Sequence, residues 1–285
     1  MPAIIIPAHN EQDVVTRCLE SLRSDSGVTS REVILVANGC SDATAEVARQ
    51  AWPGIEIVET HIASKSNALN LGDAIATGFP RFYMDADISL APEAISIIAS
   101  RMAETGALAA APAMEMRLLD ASWPVRAYYQ VWQRLPYVQE GMIGVGIYAL
   151  SEEGRRRFNR FPSIIADDGY VRRLFKPEER LCVRECTSVV TAPSSLWGLI
   201  KIKTRSRLGG YELTEKFPEL VENEPKDYAS AFRQLIRRPT IWPAVVVYVG
   251  VNIVARLRAS KMHRQHAHSV WERDDSSRQG TRKQA

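Results

Sequence analysis

The stretch Phe82-Tyr83-Met84-Asp85-Ala86-Asp87-Ile88, FYMDADI, sets two acids directly behind an apolar run. A short apolar run bounded by polar residues reads as a buried strand. Two carboxylates at the end of a strand need something positive to meet them. What lies on either side decides what that is.

Upstream and downstream, the first 115 residues alternate short Ile/Val-rich runs with longer amphipathic ones. Ala3–Ile6, Val33–Ala37, Ile55–Val58, Arg81–Met84 and Leu108–Ala113 read as strands. Gln12–Ser24, Asp42–Gln50, Ser64–Thr77 and Pro92–Thr105 read as helices, with Ser41-Asp42 as a cap and Pro92 in a first turn. Strands of four to six residues with helices between them imply βαβ units and a mostly parallel sheet, an α/β fold. After about Met116 the alternation breaks. An aromatic-rich helix is expected over Ser122–Leu135, a glycine loop over Gly141–Gly146 and a strand over Val145–Leu150. A helix over Asp167–Phe175, two strands over Leu181–Glu185 and Thr187–Thr191, and a basic helix over Ser194–Leu208 follow.

The chain has 285 residues, is 46% apolar and carries a net charge of +3. So near-balanced a charge gives no ground for a nucleic-acid partner. Arg256–Ala285 holds eight Lys/Arg and three Asp/Glu, or +5, which leaves about −2 for the remainder. Cys18, Cys40, Cys182 and Cys186 include no close pair, which suggests reduced thiols in a cytosolic protein. The N-terminus lacks the basic flank and length of a secretion signal, so the catalytic body is expected in the cytosol. Pro239–Ala255 contains no charged residue and would span ~25 Å as a helix. Arg237-Arg238 and Arg256/Arg258 flank it, with Trp242 and Tyr248 as interface residues. It reads as a membrane-inserted or in-plane segment, with a buried core helix as the alternative; Pro243 and Asn252 fit neither perfectly. The expected organisation is one domain over 1–210, a helical region over 211–260 with its membrane segment at 239–255, and a disordered basic tail over 261–285.

In open parallel sheets, ligands bind beyond the carboxyl ends of the strands. Three such ends carry distinctive residues: Pro7-Ala8-His9-Asn10-Glu11, Asn38-Gly39-Cys40-Ser41-Asp42 and Asp85-Ala86-Asp87. The glycine-rich dinucleotide fingerprint is absent after the first strand, which argues against a nicotinamide dehydrogenase.

Six segments in order, IIIPAHNEQDVVTRCLESL, VILVANGCSDATAEVA, SKSNALNLG, YMDADISL, GVGIYALS and ADDGYVRRLF, resemble the family 2 glycosyltransferases of the GT-A fold. The resemblance covers Ala3 to Leu208. It implies sugar transfer from a nucleotide diphosphate donor, usually with inversion and a divalent metal. Carboxylate oxygens suit a hard cation such as Mg2+ or Mn2+, which stabilises a departing diphosphate. Asp87 is the expected metal and diphosphate residue, and Asp85 the contact for ribose or donor-sugar hydroxyls. By resemblance, Asp168 is the base, Glu11 touches ribose, and Asp42 touches the nucleobase with a tilt toward uridine. Pro7, Ala8 and Asn10 would line the donor pocket, and Lys65 would pair with an acid or the donor. His9 is assigned to a turn or to packing. Gly144, in its glycine loop, and Asp167, where the family usually has Glu, are the expected acceptor-side residues. Processive relatives carry Gln-x-x-Arg-Trp. Thr204–Leu208 keeps only an arginine in that register, which argues against processive polymerisation and leaves Arg207 to neutralise the diphosphate.

The basic amphipathic helix and the apolar segment imply a membrane surface, on the cytoplasmic face, and a lipid-linked or envelope-glycan acceptor. Two alternatives stand beside this reading. One is a non-catalytic membrane-associated scaffold on the same fold, against which Asp85, Asp87 and Asp168 argue. The other is a haloacid-dehalogenase-type phosphatase, which also has Asp-x-Asp after a strand. There the motif follows the first strand; here it follows the fourth, and Ile88 stands where Thr or Val is usual.

Overall fold

A computed structural model describes residues 1–23, 33–91, 93–223 and 239–265. Ser24, Pro92, Arg237, Arg238, residues 224–238 and the expected tail beyond residue 265 lie outside the described residues. Two compact units form. Unit 1 comprises Met1–Glu115, Gly141–Ser163 and Leu174–Val190; unit 2 comprises Met116–Glu140, Ile164–Arg173 and Thr191–Ala285.

Unit 1 opens with β1 (Ala3–Ala8), α1 (Val15–Arg23), β2 (Val33–Asn38), α2 (Thr44–Ala51), β3 (Glu56–Thr60), α3 (Lys65–Ile75) and β4 (Arg81–Met84). β5 (Ser89–Leu90), α4 (Ala94–Thr105) and β6 (Ala109–Arg117) follow. Every residue of β1 and β2 is buried, as expected of Ile/Val runs covered on both faces. α1 buries Val15, Cys18, Leu19 and Leu22, one stripe of a 3.6-residue period. α3 starts at Ser64, whose hydroxyl accepts the Asn67 N–H at 3.3 Å. Gly72 lets α3 lie close on β1: a Cβ there would come within 2.5 Å of Ile5 Cγ2.

The sheet has eight strands in the order β3-β2-β1-β4-β7-β6-β8-β5, where β7 is Ile147–Leu150 and β8 is Arg180–Thr191. β3, β2, β1 and β4 are parallel to one another; β7 is antiparallel to β4 and β6, and β5 to β8. The chain steps outward from β1 through β2 to β3, then returns across β1 to lay down β4. Strand order therefore reverses between β1 and β4, and the crevice beyond a reversal is where open α/β sheets bind ligands. The β1–β4 pairing covers only Ala3–Ile5, so Pro7, which has no N–H to give a ladder, falls beyond it.

A buried ionic hub holds β4. The Asp73 carboxylate accepts from Arg81 (2.7 Å), Arg155 (2.6 Å) and the Tyr83 hydroxyl (2.6 Å). Burial opposes charge on Asp73, but hydrogen bonds from Arg155, Tyr83 and Arg81 outweigh it and hold the carboxyl below its usual range. Tyr83 also stacks on Tyr148 at 5.1 Å and meets Phe161 edge-on at 4.9 Å. The strand delivering the two acids is thus fixed two residues before them.

Unit 2 contains α5 (Trp123–Trp132), α6 (Pro136–Gln139), most of α8 (Asp167–Leu174), α9 (Leu196–Lys216) and α10 (Trp242–Arg264); α7 (Glu152–Arg155) belongs to unit 1. α10 buries the small residues Ala244, Val251, Ala255 and Ala259, which allow close packing against α9 and α5. Tyr128 of α5 stacks on Tyr248 of α10 at 5.0 Å.

The strand expected over Leu108–Ala113 runs from Ala109 to Arg117 and the helix expected over Ser122–Leu135 ends at Trp132; three further departures have a visible cause. The two strands expected between Leu181 and Thr191 are one continuous strand, because Cys186 between them is buried within it. The basic helix runs on to Lys216 through Gly209-Gly210. A Cβ at Gly209 would stand 2.9 Å from Ala166 Cβ, so tertiary packing keeps a glycine in the helix. The apolar segment is helical to Arg264, and its two awkward residues fit. Pro243 sits in the first turn, where its missing N–H costs nothing, and Asn252 accepts from Arg207 Nη2 at 3.4 Å.

Candidate active site

The β1 and β2 ends are tied together, residue by residue. Asn38, 3% exposed, donates from Nδ2 to the Ala8 carbonyl at 2.8 Å. Its own carbonyl accepts from His9 Nδ1 at 2.6 Å, which ties the segment after β1 to the end of β2. Asn10, at φ +53°, accepts the Ser41 N–H at 2.8 Å. Such left-handed geometry suits Asn better than most residues. Glu11 is buried, and its N–H donates to Thr44 Oγ1 at 2.7 Å. Asp42 accepts from the Thr44 N–H at 3.0 Å through one oxygen and from the Gln12 N–H at 3.2 Å through the other. The N-cap of α2 is Ala43, with no side-chain cap bond, and not the expected Ser41-Asp42; Asp42 instead binds the turn before the helix and pins the loop after β1. Gly39, at φ +58°, turns the chain with no room for a side chain: a Cβ would meet Ala63 Cβ at 2.6 Å.

Across the reversal stand Asp85 and Asp87. The Asp85 carboxylate pairs with Lys65 Nζ at 2.7 Å, and its N–H donates to the Gly146 carbonyl at 2.7 Å. Arg17 Nη2 of α1 donates to the Asp87 carbonyl at 3.0 Å. Cys18, one residue on, records how the acids converge. Burial pushes its thiol up, and the negative charges of Asp87, Asp85 and Glu11 add to this, against Arg17. In unit 1, then, the ends of β1, β2 and β4 gather Pro7, Ala8, Asn10, Glu11, Asp42, Lys65, Asp85 and Asp87 along one edge of the parallel strands.

The glycine loop closes on this edge. Gly141, Met142, Gly144 and Gly146 all have positive φ. Gly146 makes the close approach, with a Cβ there only 2.5 Å from Ile88 Cγ2; Gly144 is exposed. The loop therefore packs onto the segment carrying the two acids.

Unit 2 holds the other expected residues. Asp168 opens α8, where negative charge suits the helix N-terminus, and its Oδ1 accepts the Gly169 N–H at 2.7 Å. Asp167 beside it is 4% exposed. The α8 entry is clamped by α9, through the Ala166–Gly209 approach and a 2.8 Å bond from the Ile165 N–H to Glu212. Arg207 lies on α9 with its guanidinium toward Asn252.

Sequence reasoning missed Arg17, Asn38, Thr44 and the setting of Lys203. Asn38 left a signal, a polar residue closing an apolar strand; Arg17 left none beyond its place on the first turns of α1. Lys203, read as part of a basic surface, has its ammonium 4.1 Å from the Trp132 ring centroid, 5.2 Å from Tyr128 and 5.5 Å from Tyr129. Burial pushes its pKa down to about 7.

Could these residues hold a divalent cation? Among the described residues, no three His, Cys, Asp or Glu side chains form a cage. Two carboxylates on adjacent odd positions fit a different arrangement. Mg2+ is commonly held by one or two carboxylates together with substrate phosphates. Asp85 and Asp87 supply hard oxygen donors of that kind, and the Asp85 side chain is 40% exposed and so open to a ligand.

A strand-order reversal rimmed by Asp-x-Asp, with a mixed sheet flanked by helices, defines a GT-A glycosyltransferase fold. The glycosyl transferase family 2 model matches residues 3–145, and the chain belongs to that family. It is 26% identical over 137 residues to the uncharacterized glycosyltransferase YibD of Escherichia coli K12, covering 47% of this chain and 38% of that protein. The chain spans about a third of the length of the curated relatives it matches. Mannosyltransferase PcManGT from Pyrobaculum calidifontis, solved with GDP-Man and Mn2+, superimposes with a TM-score of 0.59 at 18% identity, covering 99% of this chain and 83% of that one. Glucosyl-3-phosphoglycerate synthase from Mycobacterium tuberculosis, solved with Mn2+, UDP and phosphoglyceric acid, gives 0.54 at 17% identity, covering 75% and 78%.

Proposed function

We propose that this chain transfers a sugar from a nucleotide diphosphate donor to an acceptor hydroxyl, with inversion. Mg2+ or Mn2+ is its cofactor. The acceptor is lipid-linked or an envelope glycan, met at the cytoplasmic face of a membrane. One observation carries the reading: Asp85 and Asp87 stand at the end of β4, across the strand-order reversal from the tied loops after β1 and β2. Family membership, and neighbours solved with Mn2+ and either GDP-Man or UDP, support it.

In this scheme Glu11 and Asp42 address the ribose and base, and Pro7, Ala8 and Asn10 shape the pocket wall. Asp85, in its pair with Lys65, takes ribose or donor-sugar hydroxyls. Asp87 and the donor phosphates would hold the metal ion. When bound, that ion supplies Lewis-acid stabilisation of the leaving diphosphate. Arg207 adds positive charge for the same group. Asp167 and Gly144 serve the acceptor. Asp168 takes the proton of the acceptor hydroxyl as its oxygen attacks the anomeric carbon. The bond from that carbon to the phosphate oxygen breaks, and its electron pair leaves with the nucleoside diphosphate. A single displacement from the far face inverts the anomeric centre.

The test is a panel of nucleotide sugars screened for donor hydrolysis and transfer with Mg2+ or Mn2+. Asp87→Ala is expected to remove metal-dependent turnover. Asp168→Asn is expected to lower transfer by about 10²–10⁴-fold while sparing donor binding, the usual range for a general base. Transfer at the normal rate by Asp168→Asn would show that the base lies elsewhere.

A further inference from the structure

Ten of the thirteen large apolar side chains exposed among the described residues belong to unit 2. Half of these ten are spaced along one line of α10: Trp242, Val246, Val249, Ile253 and Leu257, at intervals of three and four residues. At 3.6 residues per turn they form a stripe roughly 80° wide. Val246 is 71% exposed and Leu257 67%. The opposite side of the helix carries the buried Ala244, Val251, Ala255 and Ala259, packed on α5 and α9. α10 is thus apolar on both sides, one packed on α5 and α9 and the other exposed. A surface helix in water shows polar residues outward; this one shows its first exposed charge only at Arg256, near its C-terminal end.

The charge beside the stripe names the partner. α10 has no acidic residue, and Arg256, Lys261 and Arg264 are exposed at its C-terminal end, on the outward side. The exposed Trp197, at the start of α9, lies under Arg258 at 4.3 Å, which joins a second interface-type aromatic to this surface. Apolar side chains with Trp at the margin and uncompensated cations alongside match an anionic lipid surface.

We propose that α10 is a monotopic seat: it lies in the plane of an anionic bilayer leaflet, its Trp242–Leu257 stripe in the acyl boundary and Arg256, Lys261 and Arg264 on lipid headgroups. Pro239–Arg264 is long and apolar enough to cross a bilayer, but its inner side is occupied. α5 and α9 cover that side and carry Arg126, Lys201 and Arg205. A span would draw these charges into hydrocarbon, whereas an in-plane helix leaves them in water. The seat rests on the membrane part of the proposed function and is independent of its sugar-transfer part.

The experiment floats the full chain with vesicles of phosphatidylcholine alone and of phosphatidylcholine with phosphatidylglycerol. Binding is expected to the anionic vesicles, weakened about tenfold or more by high salt and released by alkaline carbonate. Val246→Glu with Ile253→Glu is expected to abolish flotation, and Arg256→Glu with Lys261→Glu to remove the preference for anionic lipid. Donor hydrolysis in vesicle-free buffer is expected to stay unchanged in both variants. Its loss in the unmutated chain would count against sugar transfer, not against the seat. Resistance to carbonate, with protease-protected ends on both sides, would overturn the in-plane orientation. No vesicle binding, with a dimer that the Val246/Ile253 variant dissociates, would show that a second copy covers the face and overturn the proposal.

Discussion

Replacing Lys203 by Met is expected to stabilise the protein at pH 6 and to make no difference near pH 10.5. The ammonium of Lys203 lies under Trp132, Tyr128 and Tyr129, and burial lowers its pKa from 10.5 to about 7. That difference corresponds to about 5 kcal/mol, at ~1.36 kcal/mol per pH unit. Three ring faces favour the cation, so this figure is the most the buried charge can cost. The folded pKa is the lower one, so the charged form is what folding disfavours. Below about pH 7 the lysine is charged in both states and the penalty is complete. Between about 7 and 10.5 the unfolded chain keeps a proton that the folded protein has released, and stability rises with pH. Above that window the amine is neutral in both states and the penalty is gone. Met has a similar stem and no charge, so the variant is free of this pH dependence. Urea unfolding followed by far-ultraviolet circular dichroism from pH 6 to 10 measures it, with half-buried Lys201→Met on the same helix as control. A Lys203→Met advantage of constant size across that range, or none at pH 6, would refute the reasoning. The same helix, α9, also clamps the entry to α8, where the proposed base Asp168 stands.

Asp73→Asn leaves Arg81 and Arg155 without their buried carboxylate and is expected to cost about 3–5 kcal/mol in urea unfolding. In the unmutated protein the same carboxyl titrates below its usual 3.8, so its contribution is complete above about pH 4 and is lost as pH falls through the lowered value, which acid-unfolding midpoints of the two proteins would compare. Lys65→Met breaks a pair that is 28% and 40% exposed; stability is expected to change by no more than about 1 kcal/mol, while donor affinity measured by calorimetry falls. Gly39→Ala forces a Cβ against Ala63 at positive φ, with an expected cost of about 1–3 kcal/mol and weakened donor binding, read by thermal melting and the same calorimetry.

Much of the sheet edge at the ends of β1, β2 and β4 was legible because its signals are local. Ile/Val runs such as Ala3–Ile6 and Val33–Ala37 mark doubly covered strands whatever surrounds them, and Asp85-Ala86-Asp87 follows such a run directly. The helix through Gly209-Gly210 was not legible, since glycine reads as a stop unless another segment needs its space, and Ala166 does. Nor was the setting of Lys203: a lysine amid Leu and Ile reads as a surface charge until Trp132 and its neighbours fold over it.

By itself, then, the sequence determined the α/β class, the family, and the acids that end the fourth strand, because periodicity and short motifs belong to contiguous residues. The tertiary structure alone decided three things. It set β4 beside β1, which creates the reversal facing Asp85 and Asp87. It brought Gly146 against Ile88, and it covered one side of α10 while leaving the Trp242–Leu257 stripe exposed. Strand order and helix-face burial depend on contacts between distant segments, and no window of neighbouring residues contains them.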